Sequence, residues 1–325
     1  LSVDTYVEQT LDGAKGILIR LIGGAPYWSY GLQQVRALAQ EKGIALAVLP
    51  ADGRPDAQLD EMSTLPISTL RRLSHLCESG GAVAAQAALA QLALAAGLYA
   101  GPVRGSKSMP LVGAWTPEDG VCCPLVALDR DKPLVLVSFY RAYLTAADLA
   151  PVEAIFAALR ARGFAVLGLF APSLKAPDAA GWLARQVRHL APVAIVNATS
   201  FSGKGAGGTS PLDAGDVPVF QVALSTSRRK AWDEAERGLS PTDLAMHVVL
   251  PEIDGRLFGG VVSFKEPGRK DTALEYSRFA HRAEHERIDA LADRVKAWAD
   301  LAARPAVQRR PALILSTYPG KDWNM

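Results

Sequence analysis

The sequence predicts an α/β protein with two units, each a largely parallel sheet flanked by helices, of the flavodoxin-like or Rossmann-like kind. Three observations carry this. Short apolar runs alternate with stretches of helical spacing, the connections between them are brief, and the alternation halts at a Gly/Pro-rich passage before restarting. The length, 325 residues, suits about two domains at ~150 residues each.

The elements follow in order. "GILIRLIG" (16–23) reads as a buried strand. "YGLQQVRALAQEKG" (30–43) has helical spacing at Leu32, Val35 and Leu38 and stops at Gly43. "IALAVLP" (44–50) is a second strand, and helices are expected over 66–79 and 82–97. "GPVRGSKSMPLVGAWTPEDGVCCPL" (101–125) reads as a linker, with a boundary near residue 130. The second half predicts strands at 133–140, 164–172, 193–199, 217–224 and 259–264. Its helices are expected at 146–162, 178–190, 229–236, 240–249 and 275–302, the last long and charged. The expected organisation is therefore an N-terminal α/β domain (1–100), a linker (101–130), a second α/β domain (131–305) and the start of a following domain (306–325). A strand-like run near the end, "PALILST" (311–317), suggests that the sequence is part of a larger multidomain chain.

Composition excludes several classes. The net charge of +2 offers neither a nucleic-acid face nor a polybasic membrane patch. Cys77, Cys122 and Cys123 form no disulfide framework and no CxxC pair, and a cytoplasmic setting fits best. The alanine-rich stretch 82–101 is long enough to span a bilayer, but it carries Gln86 and Gln91 and lacks basic anchors, so a soluble, largely buried helix is expected.

Strand tips in parallel sheets gather ligands. Here they carry Tyr140 and Arg141, Ser173, Asn197 to Ser200, and Ser225 to Ser227. "TSFSGKGAGGTSP" (199–211) looks like a phosphate loop but fails the nucleotide-binding pattern twice: Ala198 stands where Gly is needed, and Gly205 where a hydroxyl is needed. "HRAEH" (281–285) matches H-x-x-E-H and would set both histidines on one helix face, yet that helix is densely charged, and a solvated face is the expected reading. In "GLSPTDLAMHVVLPEIDGRLFGG" (238–260), Ser240 suits an N-cap and Pro241 the first turn, with Asp243 placed for a capping box. His247 is either a ligand or a packed side chain. Glu252 follows Pro251, where the helix is expected to stop, which places this carboxylate on a turn.

The stretch 224–265, "LSTSRRKAWDEAERGLSPTDLAMHVVLPEIDGRLFGGVVSFK", resembles the large subunit of ATP-dependent cobaltochelatase, a family related to the large subunit of magnesium chelatase. The likeness extends to 134–144, 194–202, 216–224 and 312–322, and to 27–56 and 63–73 in the first half. The resemblance implies a ligase-type metal chelatase subunit of which this is an N-terminal fragment, inactive alone. It implies insertion of Co²⁺ into hydrogenobyrinic acid a,c-diamide in cobalamin biosynthesis. ATP and Mg²⁺ would act on separate AAA+ motor subunits rather than on this chain. Glu252 is the first candidate for metal handling and catalysis, with His247 second. Arg141, Asn197, Thr199 and Ser200 are the candidate contacts to the corrin-type substrate's carboxylate and amide arms. A magnesium chelatase subunit acting on a porphyrin, and a non-catalytic α/β docking module, are the alternatives.

Overall fold

A computed structural model describes residues 2–51, 54–102, 109–124, 129, 131–205, 207–274 and 276–314. The chain divides into two compact units, one of residues 1–111 with 142–148 and the other of 112–141 with 149–325.

In the first unit, β1 (Gly16–Leu21) and β2 (Ala45–Pro50) pair in parallel, Ile17 opposite Leu46 and Ile19 opposite Val48. Helix α1 (Ser29–Lys42) is the crossover. It ends at Gly43, whose φ of 65° is the left-handed cap that glycine adopts without strain. The alternation of a strand sends successive side chains to opposite faces. Leu46 and Val48 accordingly pack with Leu32, Val35 and Ala39 of α1. Ala47 and Leu49 pack with Leu70 and Leu73 of α2 (Ile67–Ser79) and with Ala88 and Leu92 of α3 (Gly81–Ala95). Burial on both faces is why β2 is apolar at every position. Its free edge is closed by side chains: Leu46 N–H donates to Thr64 Oγ1 at 2.8 Å and Val48 N–H to Ser63 Oγ at 2.9 Å. No helix among the described residues is long and apolar enough to cross a membrane.

The second unit holds an eight-stranded sheet. Its strands are β3 (Gly113–Thr116), β4 (Gly120–Cys122), β5 (Leu134–Tyr140), β6 (Ala165–Ala171), β7 (Ala194–Asn197), β8 (Val219–Leu224), β9 (Leu257–Pro267) and β10 (Phe279–Ala283). Their order is β10-β9-β8-β7-β5-β6-β3-β4. The five central strands are parallel, and each edge is antiparallel. Helix α4 (Ala150–Ala161) buries Val152, Ile155, Phe156 and Leu159, with Phe156 and Phe139 both edge-on to Trp115. Helix α5 (Pro177–Leu190) packs Ala179, Leu183 and Val187 with Leu134, Leu136, Leu167 and Ile195. A further helix, α6 (241–253), and the long α7 (His285–Ala303) follow.

Several expectations change here. The alanine-rich α3 is not largely buried: its buried residues are Ala84, Ala88 and Leu92, a single stripe. Residues 113–116 and 120–122, inside the stretch read as a linker, are sheet strands, and the two units meet in sequence at 111/112 rather than near 130. Short antiparallel edge strands carry too little periodicity to stand out from Gly and Pro. The helix expected from 275 begins at His285. Phe279–Ala283 instead pairs antiparallel with β9, because the sheet offers that segment a full ladder. His281 and His285 therefore share no helix face. His281 is buried in β10 with Nδ1 3.0 Å from Ser263 Oγ, while His285 is exposed. Of the expected terminal strand 311–317, residues 315–317 lie outside the described residues, and 311–314 form no strand. The glycine pair of "FGG" is a β-bulge: Gln221 faces Phe258 and Val222 faces Gly260, leaving Gly259 extra, and Gly260 has φ 116°.

Candidate functional site

The chain leaves β5 for β6 on one side, then returns to β7 on the other. The carboxyl ends of β5 and β7 thus flank the topological switch point, where open α/β sheets form their binding crevice. The sequence placed Tyr140, Arg141 and Asn197 to Ser200 at these tips; the structure joins Tyr140 to Ser200 and Asn197 to Thr199 there, while Arg141 follows directly after β5.

Asn197 and Thr199 are buried and engaged by one another. Asn197 Oδ1 accepts from Ser138 Oγ and from Thr199 Oγ1 (2.9 Å), and its Nδ2 donates to Gln221 Oε1 at 2.7 Å. Gln221 Nε2 donates to Thr199 O at 2.6 Å. Buried polar groups need partners, and this network supplies them across β5, β7 and β8. Ser200 is the first residue of this run to reach the surface. The Tyr140 hydroxyl donates to its carbonyl at 2.7 Å and lies 3.2 Å from its N–H. Arg141 is half-buried directly after β5. Burial lowers its pKa, but a guanidinium remains charged.

Beside these tips lies a cleft of about 260 Å³ lined by Tyr140, Ser173, Lys175, Ser200, Phe201 and Leu250, among others. A second cleft of about 470 Å³ shares Leu174 and Lys175 with it and runs along α5 past Arg188 to Ser210. Phe201 departs from ordinary backbone geometry. Its φ of 66° puts a bulky residue on the left-handed side, at a cost of ~1–3 kcal/mol. Its N–H donates to Met246 O at 2.7 Å, which fixes that conformation.

Helix α6 begins as expected, with Asp243 N–H donating to Ser240 Oγ at 3.1 Å. The expected capping box does not form its second half. Asp243 is fully buried, and its carboxylate accepts instead from Ser225 Oγ (2.7 Å), Thr226 Oγ1 (2.9 Å) and Thr226 N–H (3.1 Å). Burial opposes its ionisation, but these donors and His247 outweigh burial and hold its pKa below the usual range. His247 lies one turn on, 3% exposed, with Nε2 3.9 Å from Asp243 Oδ1. Burial lowers its pKa more than Asp243 raises it, so the imidazole is neutral near pH 7, and its Nδ1 has no hydrogen-bond partner among the described residues.

Pro251 does not stop the helix. Residues Pro241–Leu244 are α, Ala245–Val249 are π, and Leu250–Ile253 resume α with Pro251 in their first turn. The widened turn accommodates a residue that has no N–H to return to the preceding turn. Glu252 thus sits on a helix rather than a loose turn, and it is exposed. Buried His247 and exposed Glu252 face different surroundings. Among the described residues no group of three His, Cys, Asp or Glu side chains is placed to hold a metal ion.

Two residues that sequence reasoning gave no site role fasten this region. Asp254 accepts from Ser202 Oγ at 2.8 Å and from Gly203 N–H at 2.6 Å. Arg256, buried, pairs with Asp213 at 2.7 Å and leaves its Nη2 without a partner among the described residues. A Cβ at position 203 would lie 2.8 Å from Ser210 Oγ and 2.9 Å from Leu174, so the loop closes tightly only on glycine. The donors of a would-be phosphate cradle are already engaged, since Lys204 Nζ lies 3.2 Å from Ile253 O.

Comparison with known proteins fits this architecture. The CobN/Magnesium Chelatase family model matches residues 82–325. The aerobic cobaltochelatase subunit CobN of Sinorhizobium sp. is 35% identical over 99% of this chain, which covers 26% of that relative. A magnesium-chelatase subunit of Cereibacter sphaeroides is 29% identical over 58% of the chain and 17% of its own length. The solved catalytic subunit of cobaltochelatase from Mycobacterium tuberculosis superposes with a TM-score of 0.64 at 26% identity, over 95% of this chain and 26% of that one. The chain spans about a quarter of the length of the CobN relatives it matches. It belongs to the CobN/Magnesium Chelatase family.

Proposed function

We propose that this chain is the part of a cobaltochelatase large subunit that receives a tetrapyrrole ring at the β5/β7 crevice. The metal is Co²⁺, the ring is hydrogenobyrinic acid a,c-diamide, and the pathway is cobalamin biosynthesis in the cytoplasm. ATP is hydrolysed, with Mg²⁺, on separate AAA+ subunits. The observation that carries the reading is the open crevice at the switch point, in a chain that aligns over 99% of its length with a relative named for cobalt and over 58% with one named for magnesium.

The residues suit the chemistry. Insertion strips water from the ion and removes the one proton that a corrin-type ring holds on its nitrogens. Glu252 offers an exposed carboxylate with no ion-pair partner among the described residues, able to escort the ion and accept a proton. His247, buried and neutral, offers the ion an imidazole nitrogen only if its surroundings open. Lys175 and Arg141 sit where acidic arms of a ring would lie.

In the full-length subunit assembled with its motor, Glu252→Ala should lower cobalt insertion at least ~100-fold while ring binding persists. Normal turnover by that variant would remove Glu252 from the mechanism.

A further inference from the structure

We infer that Phe201 is the platform on which the flat face of the ring stacks, and that its strained backbone is kept for this purpose. The inference rests on the tetrapyrrole reading above. Phe201 combines two features that seldom coincide. Its φ of 66° is a conformation in which glycine would be relaxed, yet the residue is aromatic. The residue is 47% exposed and lines the cleft with Tyr140, Lys175, Ser200 and Leu250. Packing therefore does not account for the ring, and backbone preference argues against it.

The strain is held from both sides. Phe201 N–H is bonded to Met246 O in the π segment of α6, and the next two residues are clamped by Asp254. A side chain so fixed presents its face with little freedom left to lose on binding. A conjugated macrocycle is the ligand class that uses such a face, while Lys175 at the same wall suits a ring with acidic arms.

The test is titration of the full chain with metal-free hydrogenobyrinic acid a,c-diamide, followed by absorbance, for the parent, Phe201→Gly and Phe201→Trp. Phe201→Gly should keep a melting temperature no lower than the parent and lose about tenfold in affinity, the ~1.4 kcal/mol of one aromatic stacking contact. Phe201→Trp should retain affinity, and its added emission should be quenched by the ring. A Phe201→Gly chain that binds like the parent, or a Phe201→Trp chain that loses binding, would overturn the platform and leave the functional reading intact. A parent chain that binds no ring would overturn both.

Discussion

The Tyr140 hydroxyl donates to the Ser200 carbonyl at 2.7 Å and stands 3.2 Å from the Ser200 N–H, so one oxygen ties the tip of β5 to the tip of β7. This bridge spans the point where strand order reverses, and it lines the cleft assigned to the ring.

Tyr140→Phe should therefore cost about 1–2 kcal/mol in unfolding free energy, the net worth of one or two hydrogen bonds. The ring affinity should fall with it. Urea denaturation and a binding titration check the two parts separately. An unchanged midpoint with normal binding would show that the bridge does not organise the crevice.

Asp254 predicts a local effect. Asp254→Ala removes the acceptor of both the Ser202 hydroxyl and the Gly203 N–H and should destabilise the chain by about 2 kcal/mol. The larger sign should be faster amide exchange at Gly203 and faster cleavage within 203–210, since the loop loses its anchor to the helix end. Unaltered exchange there would mean that Arg256 and Asp213 hold the loop without help.

His247 gives a pH signature. Its pKa in the folded chain is lowered, by burial first, below the ordinary ~6.5. The neutral form is favoured on folding, so its contribution is complete above that value. It is lost as pH falls below about 6.5, where the unfolded chain takes up a proton that the folded chain refuses. Denaturation midpoints should decline over that range, and His247→Gln should flatten the decline. A parallel slope in the variant would assign the effect elsewhere.

Much of this was legible in the residues. The strand and helix runs from Leu134 to Leu224 showed because central parallel strands are apolar throughout and their helices are strongly periodic. The crevice followed from the tips of those strands. What escaped the sequence was set by tertiary pairing. Phe279–Ala283 resembles a helix start until β9 is beside it, and 113–122 resembles a linker until β6 is. Pro251 signals a helix end, and only the π turn before it lets the helix continue under Glu252. Asp243 looked like a cap residue, but its partners, Ser225 and Thr226, are distant in sequence. The left-handed backbone of Phe201 has no marker except an aromatic residue directly before a glycine-rich loop.

The most direct measurement is equilibrium binding of metal-free rings to this chain, comparing hydrogenobyrinic acid a,c-diamide with protoporphyrin. Binding should be saturable, with preference for the corrin-type ring, weakened by Tyr140→Phe and not by Glu252→Ala. Preference for porphyrin would redirect the chain to magnesium chelation. Binding of neither ring would rule out a ring site in these residues and leave the switch-point crevice as part of a docking module.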